Sequence, residues 1–169
     1  MDYLLYQRKI NDVITKCPIE AGVEILVYNL IDECINIKDY ALVDINRIWK
    51  NQDSRLSTEA GISDIAVLSS NFIFKKEDAG KVYGFIEVKS AGTSLSDTSQ
   101  IRGQMEKVNH YIYTNGIVWK YYHKKEQKWE KNIVTAKTPY SISEIIVDEK
   151  VFQELMKEIR TIKWDNAND

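Results

Sequence analysis

Glycine and proline are scarce, seven and two among 169 residues. That scarcity excludes collagen-like and disordered compositions. Cysteine is equally sparse: Cys17 and Cys34 make neither a disulfide framework nor a zinc set, and their rarity agrees with a reducing cytoplasm. Two histidines, His110 and His123, exclude most histidine-rich metal sites and read as incidental residues rather than ligands. No apolar run reaches the roughly 18–20 residues that cross a bilayer, so no membrane partner is expected. The opening Met1-Asp2-Tyr3-Leu4-Leu5-Tyr6-Gln7 lacks the basic stretch and long apolar core of a signal peptide, and a cytoplasmic location is expected. An excess of one charge is missing too. The 23 Lys and Arg nearly balance 25 Asp and Glu, for a net charge of -2. No whole-molecule field draws the chain to nucleic acid, so any such contact needs a local basic surface.

What remains is a chain 44% apolar and long enough to bury a full core in one domain. The expected unit is a single domain over 1–169, with 1–16 as an N-terminal extension able to form a short helix and 165–169 as a frayed acidic tail. After Cys17-Pro18, the residues Ile19, Val23, Leu26, Val27, Leu30 and Cys34 recur every three or four positions, the apolar face of a helix. Tyr40 to Trp49 is rich in strand formers. Gly61 breaks the chain before a buried strand, Ile65-Ala66-Val67-Leu68. Phe72-Ile73-Phe74, a turn near Asp78-Ala79, and Val82 to Lys89 read as strand, turn and strand. Ser96 or Asp97 is the expected cap of a helix reaching about Asn109, with Ile101, Met105 and Val108 on its core face. Tyr111-Ile112-Tyr113 and Ile117 to Tyr122 form a hairpin around Thr114-Asn115-Gly116. A strand over Trp129 to Thr135 and a closing helix marked by Val151, Leu155, Ile159 and Ile162 follow. The predicted fold class is α/β: a mixed central sheet flanked by helices.

Three charged residues stand out. On a strand, positions i and i+2 share a face, so Glu87 and Lys89 point one way while Ile86 and Val88 point the other. A carboxylate and an ammonium within an apolar strand are costly to bury unless they pair or bind something. Asp64 heads another apolar strand. Asp64 and Glu87 offer two hard oxygen ligands to Mg²⁺, which keeps several waters and takes one or two carboxylates; the Val88 carbonyl is a candidate third ligand. Such an ion polarises a phosphate and acidifies a bound water. Lys89 is placed to orient that water or to neutralise charge in the transition state. Against this stands the ordinary reading of Glu-x-Lys as a solvated surface pair.

Gly61-Ile62-Ser63-Asp64 followed by Glu87-Val88-Lys89 resembles the PD-(D/E)XK nuclease superfamily. Gln100-Ile101-Arg102-Gly103-Gln104 and Tyr113-Thr114-Asn115-Gly116-Ile117-Val118-Trp119-Lys120-Tyr121-Tyr122 are similar, more narrowly, to the N-terminal nuclease domain of type I restriction enzyme R subunits. Glu20-Ala21 resembles that family's N-terminal acidic motif. The likeness spans about residues 18 to 123. It implies a restriction-endonuclease-like sheet, with Asp64, Glu87 and the Val88 carbonyl as metal ligands, Lys89 as the catalytic lysine and Gln100 as the helix glutamine. Gln104, one turn later, is the rival to Gln100. Glu20 or Glu24 is the helix acid and a further metal ligand. Glu20 lies about 60° from the core line through Val23 and Leu30 and Glu24 about 100°, which favours Glu20. Ser63 replaces the superfamily's proline, Gln104 stands where the narrower family often has tyrosine, and no helicase motor follows. A turn at Asp78-Ala79 sets Asp64 opposite Thr93, too far from Glu87 to share an ion. The site closes only if the chain bulges or loops near Ser69-Ser70-Asn71, or turns earlier.

Arg47, Lys50 and Arg55 around Trp49, and Lys120, His123, Lys124, Lys125, Lys128 and Lys131 among Tyr121, Tyr122 and Trp129, suit a surface that tracks phosphates and stacks bases. Arg102 and Lys107 are further candidates. They equally suit the exposed face of an ordinary strand pair. The expected activity is a Mg²⁺-dependent endonuclease, with Mn²⁺ as a substitute, acting on nucleic acid, DNA first, in restriction, defence or mobile-element recombination. The alternative is an inactive nucleic-acid-binding or regulatory module on the same fold. With no separate recognition module, specificity is expected from a homodimer or a partner subunit.

Overall fold

A computed structural model describes residues 1–49, 52–135 and 144–165. Six strands follow chain order across one sheet: β1 (Tyr40–Asp44), β2 (Ile65–Ser69), β3 (Val82–Val88), β4 (His110–Thr114), β5 (Val118–His123) and β6 (Glu126–Asn132). Every neighbouring pair is antiparallel except β3 and β4. A parallel pair needs a crossover. The chain makes it through residues 89–109, which carry the short helix α3 (Ser99–Met105).

The other helices are α1 (Tyr3–Lys16), α2 (Glu20–Asp32) and α4 (Glu149–Thr161). They bury Tyr6, Ile10, Val23, Leu30, Phe152 and Leu155 against the face carrying Ile65, Ile86 and Ile112. α3 and a 3₁₀ turn at Ser54–Leu56 cover the opposite face, packing Ile101, Met105 and Leu56 on Ala66, Phe85 and Tyr111. The period-2 alternation of β3 therefore feeds two cores. The fold is a mixed α/β domain with its sheet between helical layers, as the sequence predicts. Among the described residues, no helix is long and apolar enough to cross a membrane.

Several expectations need correction. Residues 1–16 are no mere extension: α1 buries Tyr6 and Ile10, and the Tyr6 hydroxyl donates to Gly116 O at 2.6 Å. β1 ends at Asp44 rather than Trp49, because Asp44 Oδ1 accepts the Asn46 N–H and turns the chain. Thr98, not Ser96 or Asp97, caps α3, which ends at Met105. β6 starts three residues before Trp129 and ends at Asn132. The tail beyond Asp165 and Lys50 lie outside the described residues.

The most consequential correction concerns Phe72-Ile73-Phe74. These strand formers are not a strand but part of the connection 70–81. Arg55 holds that connection. Its guanidinium makes two hydrogen bonds to Asp53, donates to Ala79 O at 2.8 Å and Ile73 O at 2.7 Å, and lies 4.0 Å over the Phe72 ring. A long loop in place of a tight hairpin pairs Ile65 with Ile86, and a register shift follows between Val67 and Leu68. Continued by one residue, that register sets Asp64 opposite Glu87. The loop condition for closing the site is met.

Candidate active site

Asp64 precedes β2 by one residue and Glu87 stands near the end of β3. Both are buried and belong to the α3 side of the sheet, by alternation with Ala66 and Phe85. Asp64 Oδ2 accepts the Val88 N–H at 2.7 Å. A strand residue directs its N–H and C=O to the same edge, so the Val88 carbonyl also faces Asp64. On the other edge, Lys89 N–H donates to Thr114 O at 2.8 Å.

Glu87 collects three donors. Lys89 Nζ lies 2.8 Å and Gln100 Nε2 3.4 Å from Oε1, and Gln104 Nε2 lies 3.1 Å from Oε2. Both glutamines therefore reach the same carboxylate, one on each oxygen. Gln100 is exposed, whereas Gln104 is fully buried, its Oε1 accepting from the Tyr111 hydroxyl at 2.5 Å.

Glu20 and Glu24 divide the expected role of helix acid. Glu20 Oε2 is 3.8 Å from Lys89 Nζ, with its side chain 45% exposed. Glu24 is only 8% exposed, the reverse of the order expected from helical angles. The cause is the turn after β1: Asn46 Nδ2 donates to both Glu24 oxygens at 2.9 Å and covers that flank. Among the described residues, no three His, Cys, Asp or Glu side chains gather to hold a metal. Glu20 is thus not clustered with Asp64 and Glu87 as expected; its long side chain takes the ammonium of Lys89 as partner.

The electrostatics follow from burying acids together. Burial first, and then the charge of Glu87, push Asp64 from 3.8 to about 7. Burial also raises Glu87, although Lys89 and Gln104 pull it back. For Lys89 burial pulls downward, but the hydrogen bond to Glu87 and the carboxylates of Glu87, Glu20 and Asp64 outweigh it and raise its pKa. Such a pair of carboxylates is unfavourable alone and is relieved by a cation. Asp64 Oδ1 accepts no hydrogen bond among the described residues. Two carboxylates, one open oxygen and an inward carbonyl fit an ion that keeps most of its waters, as Mg²⁺ does.

Gln100 also lines a groove of about 970 Å³, together with Ser57, Thr58, Ala60, Gly103 and Lys107 among others. The basic surface expected on β5 and β6 is largely spent. Lys120 reaches Leu95 O and Glu130, Lys125 pairs with Glu106, Lys128 with Glu126, Lys131 with Glu154, and Arg102 with Asp97. Lys107 holds the carbonyls of Ser54 and Ser57. Tyr121 is buried, its ring tilted against that of Trp129 with centroids 5.4 Å apart. His110 and His123 stack at 4.8 Å across β4 and β5, with His110 opposite Gly84, away from the carboxylates. Trp49, 77% exposed, and Arg47 remain open, in the turn whose Ile45 N–H donates to Asp64 O at 2.8 Å.

Sequence reasoning missed Tyr111, Tyr113 and Asn46. Tyr113 pairs with Glu87 in register, and burial raises its pKa. A visible signal existed: Tyr111 and Tyr113 alternate on β4, as Phe85 and Glu87 do on β3.

No protein-family model and no curated protein matches this sequence. Among solved structures the chain is similar in fold to one described as a cryoEM structure of a DrdV-DNA complex. The TM-score is 0.59 at 13% identity, covering 93% of this chain and 94% of that one.

Proposed function

We propose that this chain is a divalent-metal-dependent nuclease of the PD-(D/E)XK superfamily that hydrolyses phosphodiester bonds, in DNA first. The observation that carries the reading is the meeting of Asp64 and Glu87 on one face of β2 and β3, with Lys89 2.8 Å from Glu87. A surface Glu-x-Lys pair needs no second buried acid, and here one is present. That the fold neighbour was solved with DNA supports the choice of polymer.

In this reading Asp64, Glu87 and the Val88 carbonyl hold Mg²⁺ or Mn²⁺. The ion supplies positive charge that polarises the phosphoryl group and acidifies a water. The Lys89 ammonium, kept protonated by its acidic neighbours, holds the attacking water in line and balances charge that gathers on the phosphoryl oxygens. Glu20 restrains Lys89 from the far side. Gln100 steadies Glu87 and also lines the groove. A phosphodiester reaches Lys89 through the quarter of its side chain left open to solvent. A second copy or another subunit is the proposed source of specificity.

The test is nicking of supercoiled plasmid with Mg²⁺ or Mn²⁺. Cleavage that disappears in Asp64→Asn and in Lys89→Ala supports the assignment. Cleavage untouched by both substitutions, or none by the wild type with either metal, overturns it.

A further inference from the structure

Gln104 and Tyr111 hold no place in the chemistry described above, yet they sit directly behind it. Both are closed to solvent, at 0% and 1% exposure. The Tyr111 hydroxyl donates to Gln104 Oε1 at 2.5 Å, and Gln104 Nε2 donates to Glu87 Oε2 at 3.1 Å. The oxygen and nitrogen ends of a side-chain amide are nearly equal in size, so packing alone does not choose which one meets the carboxylate. Turned over, Gln104 would set a carbonyl oxygen against Glu87, and no water reaches it to soften the repulsion. The ionised Glu87 carboxylate only accepts, so it takes Nε2; the Tyr111 hydroxyl proton then satisfies the buried Oε1 and holds the amide in that orientation.

The count of acceptor positions on Glu87 gives this a consequence. A carboxylate has about four accepting directions, two on each oxygen. Lys89 and Gln100 occupy Oε1, and Gln104 takes one direction of Oε2. One direction of Oε2 stays open. We propose that Tyr111 and Gln104 form a positioning relay, which sets the rotation of the Glu87 carboxylate so that one lone pair of Oε2 is kept for the divalent ion. The relay rests on the nuclease reading for its purpose, but it is read from hydrogen bonds alone. Neither residue touches substrate, so both act through Glu87.

Tyr111→Phe removes the hydroxyl and keeps the ring, and Gln104→Met removes the amide and keeps the length. Mn²⁺ binding to the full chain, followed by titration calorimetry without DNA, gives a readout independent of cleavage. Each variant is expected to weaken Mn²⁺ binding by roughly 10- to 100-fold, the usual cost of losing a group that orients a ligand. The double variant is expected to lose no more than Gln104→Met alone, since Tyr111 acts only through the amide. Ile101→Val, in the same helix and core, controls for general loosening and is expected to leave the affinity unchanged.

Wild-type affinity in a folded Tyr111→Phe protein overturns the relay, as does an additive double variant or an equal loss in Ile101→Val. If Tyr111→Phe does not fold, Gln104→Met decides, with unchanged affinity again overturning the relay. A wild type that cuts DNA while both variants bind Mn²⁺ normally removes the relay and leaves the nuclease. A wild type that binds Mn²⁺ through the relay yet cuts nothing removes the nuclease and leaves the relay. A wild type that binds no Mn²⁺ ends both.

Discussion

Asp64 and Val88 are joined across the β2–β3 pair by a 2.7 Å hydrogen bond from the Val88 N–H to Asp64 Oδ2. The bond replaces a ladder contact with a side-chain one just where β2 begins. It draws the carboxylate in beside Glu87, two acids in one poorly hydrated place, and that proximity has measurable consequences.

The first concerns pH. Asp64 titrates at 3.8 when free and at about 7 in the fold, because burial and Glu87 disfavour its charge. Across that window the folded state keeps a proton that the unfolded chain has released, so this group's stability is full at the acid end and is lost as pH rises through about 7. In EDTA, the melting temperature of Asp64→Asn is expected to gain on that of the wild type as pH rises through the window. Saturating Mg²⁺ is expected to reverse the ranking. At a hundred times the dissociation constant it adds about 2.7 kcal/mol to the wild type alone, or roughly 5–10 °C. Thermal melts with and without metal check both trends, and parallel pH profiles for the two proteins contradict the argument.

The second separates the helpers of Glu87. Lys89 carries a full charge at 2.8 Å, while Gln100 is neutral, exposed and 3.4 Å away. Lys89→Ala is expected to slow plasmid nicking about 10²- to 10³-fold, and Gln100→Ala by about tenfold or less. Single-turnover rates at saturating metal measure the gap. A larger loss from Gln100→Ala reverses the roles.

Much of this trio was legible from residue order. A glycine break before an apolar strand, and a Glu-x-Lys inside the next, need only the two-residue period of a strand to be seen. The register between them was not legible. Phe72, Ile73 and Phe74 have the composition of a strand, and only the remote Arg55, half-buried and paired with the buried Asp53, turns them into a loop. The order of burial of Glu20 and Glu24 failed for a similar reason, because the side chain that covers Glu24 comes from Asn46, beyond β1. Helical angles describe one element, and burial here is decided by a second. Gln100 and Gln104 stayed unresolved because they are a turn apart and both reach Glu87.

The hairpin after β4 yields a third prediction. Asn115 is buried; its Nδ2 donates to Thr93 O at 2.8 Å and Ala91 O at 3.4 Å, and its Oδ1 accepts from Ile117 N and Val118 N. It thus ties the hairpin to the segment that follows Lys89. Asn115→Ala is expected to cost about 1–3 kcal/mol in urea unfolding, from backbone groups left without partners. Faster amide exchange around Ala91 to Thr93 is expected to accompany the loss. Unchanged exchange there contradicts the tie.

Gly84 supports a fourth. A Cβ at this position would lie 2.6 Å from the Trp164 ring and 2.7 Å from His110 O. Backbone cannot yield as a side-chain tip does. Gly84→Ala is expected to destabilise the fold by about 1–3 kcal/mol. The change lies three residues before Glu87, so residual activity per folded molecule is expected to stay near that of the wild type. Chemical denaturation and active-site-normalised rates test the two halves separately.

The seat of Trp164 over Gly84 also has practical geometry. The adjoining Asp165 accepts a hydrogen bond from Tyr40 at 2.8 Å, so this part of the chain is secured at the start of β3. Lys89 is five residues further along, a span of about 17 Å in extended chain. A probe or an immobilising tether fixed near Asp165 therefore holds the molecule at the start of β3, a strand's length from the ammonium of Lys89.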